Sequence, residues 1–114
     1  MFVRIWKFHV HPGRIREFET AYGPTGPWSQ LFGRIAGYCG TELLTDAGDP
    51  NTYFTIDWWE SAEAWAAFLR AWAEDYGALD RRCESLAIAE MEIGEFQGLG
   101  ASDPASRKLR SVIE

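Results

Sequence analysis

Residues 53–59 read YFTIDWW, an alternating strand pattern with bulky apolar side chains at both parities. Strand neighbours point to opposite sides. Tyr53, Thr55, Asp57 and Trp59 therefore share one face, and Phe54, Ile56 and Trp58 the other. A sheet with one solvated face needs apolar residues at only one parity. This chain must cover its sheet on both sides, which restricts its fold more than any other feature of the sequence. The demand is large, because each big aromatic has roughly 150–250 Å² to hide and six tryptophans share 114 residues.

The other elements follow from periodicity and punctuation. Residues 2–11 alternate as a first strand that Pro12 and Gly13 end. Ile15, Phe18 and Tyr22 keep helical spacing up to Gly23-Pro24, and Trp28, Leu31, Phe32 and Ile35 define a second short helix. A strand over 38–46, a turn over 47–51 and a strand over 52–60 read as a hairpin. Ser61 caps a long helix with Glu63 in its first turn. Trp65, Phe68, Leu69, Trp72, Tyr76 and Leu79 form that helix's apolar stripe, and Gly77 is its expected end or kink. Residues 87–96 give a fourth strand.

This order is βαββαβ, the ferredoxin-like α+β arrangement: a four-stranded antiparallel sheet with its helices on one face. The first and third strands are expected to be neighbours, and parallel. The uncovered apolar face is most simply buried against its own copy, predicting a two-fold homodimer. Residues 1–98 form the domain, and 99–114 a flexible tail or one draped on the partner subunit.

Composition excludes several function classes. A net charge of −6 argues against nucleic acid and anionic membranes as partners. No apolar run nears the roughly 20 residues of a membrane span. MFVRIWKF alternates instead of forming a signal-peptide block, so the chain reads as cytoplasmic. Cys39 and Cys83 are too isolated for a disulfide framework or a metal site. His9 and His11 sit at i, i+2 with no evident third ligand, and no metal is expected. Glu90, Glu92 and Glu95 read as a solvated strand edge.

The strand that runs into W-E-S and then a helix opening A-x-A-aromatic, the first strand ending in Pro-Gly, and GYCGTELL (37–44) resemble the antibiotic biosynthesis monooxygenase (ABM) domain family. The resemblance covers roughly residues 2–97. It implies a dimeric α+β barrel with a cavity between the sheet and the helices of each subunit, lined by the W-E-S tryptophan, here Trp59. Many such proteins resemble cofactor-independent monooxygenases that oxidise phenols or quinols with O₂, and one branch binds and degrades haem. The family commonly has asparagine four residues before that tryptophan, where this chain has Thr55. Trp6 stands at the haem branch's first-strand asparagine, and the long helix lacks a histidine, so haem loses both polar anchors.

Parity places Arg4 and Trp6 on one face of the first strand, where Arg4 approaches Asp57. The pair either orients or deprotonates a phenolic substrate, or is a structural ion pair. Asp57 serves as a base if burial raises its pKa. Trp6, Thr55, Trp59 and Trp65 are the candidate pocket walls, with Trp65 equally readable as core. Tyr22 and Trp28 flank GPTGP, the expected cover. The leading reading is a monooxygenase for a small phenolic or quinol-like aromatic, with O₂ as co-substrate and no cofactor. Alternatives are a non-catalytic binder of haem or another flat ligand, an isomerase on the same scaffold, or a ligand-free dimer whose space beneath Trp59 is filled.

Overall fold

The computed structural model describes residues 1–99; the expected tail lies almost wholly outside the described residues. Strand β1 (Phe2–Val10) leads through one 3-10 turn into helices α1 (Ile15–Tyr22) and α2 (Pro27–Phe32). The hairpin of β2 (Tyr38–Asp46) and β3 (Asp49–Trp59) follows, then α3 (Ala62–Cys83) and β4 (Ala87–Gln97). The sheet order is β2-β3-β1-β4 and every pairing is antiparallel. The ferredoxin-like α+β fold is therefore as the pattern predicts.

The expected parallel pairing of β1 and β3 is wrong. A helix returns the chain after β1, so β2 runs with β1, and the tight hairpin then reverses β3. Arg4 is nonetheless directly opposite Asp57, with Trp6 opposite Thr55 and Phe2 opposite Trp59. The hairpin turn is also tighter than expected. Asp46 Oδ2 accepts the Gly48 N–H at 2.8 Å, and β3 begins at Asp49.

Ser61 caps α3 by accepting the Ala64 N–H at 3.1 Å, one of the donors that a helix start leaves unpaired. Gly77 stays helical. The break lies at Trp72, with φ −129° and ψ 24°. Arg34 packs against the break, its guanidinium 4.7 Å from the Trp72 ring centre and Nη1 2.7 Å from Asp75 Oδ2. Among the described residues no helix is long and apolar enough to cross a membrane.

The core lies between sheet and helices and is built largely of rings. Phe18 stacks on Tyr22 at 4.4 Å, and Phe32 touches Trp59, Trp65 and Phe68 edge-on. Trp59 is 0% exposed. Neighbours on β3 divide as parity requires: Trp59 enters this core, while Trp58 lies on the other face and donates Nε1–H to Glu42 at 2.9 Å.

Both edge strands carry a bulge at a glycine. The register shifts between Tyr38 and Gly40 on β2, and opposite Ile5 and Trp6 on β4 beside Gly94. Gly40 has φ +114° and Gly94 φ +156°, backbone that side-chain-bearing residues rarely adopt. The Phe96 ring also lies 2.9 Å from where a Cβ on Gly94 would stand. Each bulge brings residues three apart onto one face: Tyr38 with Thr41, and Glu92 with Glu95.

Candidate functional site

The polar centre of the covered face is built across four strands. Asp57 on β3 is 6% exposed and accepts the Thr41 hydroxyl at 2.7 Å. The Tyr38 hydroxyl hydrogen-bonds Thr41 in turn. Burial pushes the Asp57 carboxyl up to about 6, against the smaller opposing pulls of Thr41 and Arg4. A carboxylate with its pKa this close to neutrality can exchange a proton with a substrate.

Arg4 does not close a direct ion pair with Asp57. Its Nε meets Glu95 Oε2 at 3.1 Å and its Nη2 meets Glu92 Oε2 at 3.5 Å. The guanidinium also stacks 3.8 Å from the Trp65 ring centre. Glu92 and Glu95 keep the solvent exposure expected of a strand edge, 49% and 42% for their side chains, and the Gly94 bulge also turns both toward Arg4. An arginine 5% exposed needs such partners, since an unpaired buried charge is costly.

A cleft opens beside this centre, with about 470 Å³ of empty space including the part open to solvent. Arg4, Thr41, Thr55 and Asp57 form its polar floor; Trp6, Phe8, Tyr22, Trp28 and Phe32 supply aromatic surface; Tyr76, Asp80 and Glu90 complete the lining. The structure thus brings Arg4, Trp6, Tyr22, Trp28, Thr55 and Asp57 to one cleft. Trp59 and Trp65 stand behind its lining, 5.3 Å apart between ring centres, with Phe32 and Phe68 packed on them. The space beneath Trp59 is filled; the cleft lies toward Trp6 and Trp28.

Several lining residues escaped the sequence reading. Tyr76 was visible only as one member of an apolar stripe, yet burial raises its phenol pKa against the pull of Arg4. Thr41 needed the bulge to be placed. Glycines inside strand patterns are the signal that marks bulges, and Gly40 and Gly94 carried it. Tyr22 is likewise pushed up, chiefly by burial. The buried Nε1 atoms of Trp28 and Trp59 make no hydrogen bond among the described residues.

His9 lies on the other face, with Nδ1 3.0 Å from the Thr52 hydroxyl. His11 is exposed beyond the strand. No three His, Cys, Asp or Glu side chains converge as metal ligands among the described residues.

With this geometry in place, comparison with known proteins is specific about family. Residues 1–73 match the family model of the antibiotic biosynthesis monooxygenases. The chain belongs to that family. SnoaB from Streptomyces nogalater, a cofactor-independent oxygenase crystallised as a mutant, is similar in fold: TM-score 0.66 and 22% identity, over 88% of this chain and 94% of SnoaB. A mutant of MhuD, with two manganese protoporphyrin IX molecules per active site, gives TM-score 0.67 and 24% identity over 89% and 97% of the two chains. A protein from Pseudomonas aeruginosa gives 0.62 and 18% over 87% and 94%. No protein of curated function matches the sequence. The ABM match ends one residue past the Trp72 kink, so Tyr76, Asp80 and Glu90 lie beyond it.

Haem fits this ABM cleft poorly. Among the described residues its lining offers no histidine, cysteine or methionine to the iron, and the two tyrosines that line it hold their phenol protons more tightly than free tyrosine.

Proposed function

We propose that this protein is a homodimeric monooxygenase that oxidises a small phenolic or quinol-like compound with O₂ in the cleft between sheet and helices. The observation that supports it best is Asp57, a buried carboxyl with a pKa of about 6 at the floor of an aromatic-lined cleft. Family membership and the likeness to SnoaB support the reaction class. The half-covered Ile56 and Trp58 and the exposed Met91 and Phe96 on the open face support the dimer.

In this reading Asp57 takes the phenolic proton, because the anion loses an electron far more readily than the neutral phenol. One electron passes to O₂, and the phenoxyl radical and superoxide combine into a carbon–oxygen bond. The peroxide takes a proton back from Asp57, and loss of water leaves a new carbonyl: one O₂ consumed, one oxygen atom inserted, one water released. Arg4 holds the floor rigid and tempers the charge on Asp57. The aromatic walls exclude solvent from the radical pair.

A non-catalytic binder of a flat hydrophobic ligand is the second reading, supported by the likeness to the porphyrin-bound MhuD mutant. The deciding experiment titrates the protein with hydroquinones, naphthols and haemin, following tryptophan fluorescence under air and under argon. Saturable quenching by a phenol, with O₂-dependent product that Asp57→Asn fails to make, is the expected result. Saturable binding without O₂ uptake, or an Asp57→Asn variant of full activity, would defeat the mechanism.

A further inference from the structure

The charges around the cleft are lopsided. Arg4 is the single cation among the described residues that line it, against the carboxylates of Asp57, Asp80 and Glu90. That cation is already engaged, between Glu92, Glu95 and the Trp65 ring. An anionic ligand therefore meets no free positive charge on this lining. Asp80 and Glu90 are exposed at the mouth. Burial, then the charges of Asp80 and Glu84, raise the Glu90 carboxyl above its usual range.

The carboxylates also occupy two separate places. Asp57 is level with Arg4, whereas Glu90 is level with Phe8 on the far side of β1. Four residues of strand separate these levels, about 13 Å, and two strand spacings separate β3 from β4, about 9–10 Å. Aromatic rings, Trp6, Phe8, Tyr22 and Trp28 among them, line the space between. Such rings favour a flat ligand, and their faces attract a positive charge.

Taking the cleft as the substrate site proposed above, we propose that its ligand is a neutral or cationic extended aromatic with hydrogen-bond donors at both ends. One donor is the phenolic hydroxyl at Asp57; the other is a hydroxyl or protonated amine at Asp80 and Glu90. Compounds bearing a carboxylate or phosphate at that outer end bind more weakly. Asp80 and Glu90 are then specificity determinants, and both lie outside the stretch that the family match covers.

The test uses the full-length protein and three naphthols that differ only in an aminomethyl, hydroxymethyl or carboxylate group on the far ring, measured calorimetrically at low ionic strength. The expected order of affinity is ammonium, then alcohol, then carboxylate, with the extremes about tenfold apart. Exposed charges act weakly, about threefold for each carboxylate, and salt screens them. The Asp80→Asn, Glu90→Gln double variant should bring the three compounds within about threefold of one another. A carboxylate compound that binds as tightly as the ammonium overturns the inference, as does an order that the double variant leaves unchanged. Binding of none of the three overturns the cleft as a site, and the proposed function with it. The expected order without O₂ consumption would sink the oxygenase reading and leave the charge preference standing.

Discussion

On the helix-covered face of the sheet the buried residues include Arg4, Thr55 and Asp57, whereas the open face leaves Met91 59% and Phe96 44% exposed and Ile56 and Trp58 half-covered. Most water-soluble sheets put the charges on the open side. Here the buried face holds ionisable groups that packing alone does not require, and the open face holds rings that a monomer has no reason to display. The proposed function rests on this contrast, with a chemical centre on one face and a second copy on the other.

Three experiments strain this comparison, from the largest expected effect to the smallest. Ile56→Lys puts a charge in the middle of the open face. If a second copy covers that face, each dimer must bury two lysines, and size-exclusion chromatography with light scattering should show only monomer. A variant that stays dimeric moves the partner surface elsewhere. Trp59→Ala, on the covered face, removes a fully buried ring from among Phe32, Trp65 and Phe68 and should cost about 3–5 kcal/mol in denaturant unfolding. A loss under about 1 kcal/mol would mean that the ring cluster is looser than its contacts indicate.

The third concerns pH. Folding raises the Asp57 carboxyl from its ordinary 3.8 to about 6. The folded state therefore holds a proton that the unfolded chain has already released over that window. Its stabilising contribution is full below 3.8 and is lost as pH rises through about 6, a span of about 3 kcal/mol. Asp57→Asn should thus gain stability relative to the wild type between about pH 4 and pH 7, with the difference levelling off above. Parallel stability curves would show that Asp57 is better solvated than its burial implies.

Much of this was legible in the sequence. The element order, the Ser61 cap and the opposed directions of Trp58 and Trp59 all appear where periodicity puts them. Parity also placed Arg4, Trp6, Thr55 and Asp57 on one face. It failed where the strands are irregular. Glu92 and Glu95 are three apart, so alternation separates them, yet the Gly94 bulge unites them on Arg4. Tyr38 and Thr41 meet by the same device at Gly40.

The sequence by itself determined the element order, the faces of β1 and β3, and the surplus of apolar surface, because these depend on local period and on side-chain chemistry. Only the tertiary structure decided who pairs with Arg4, what tunes Asp57, and that the cleft lies toward Trp6 and Trp28 and not beneath Trp59. Those outcomes depend on two bulges in edge strands and on how the helices pack over the sheet. Register shifts and helix docking are settled by contacts between residues far apart in the chain, which no local pattern encodes.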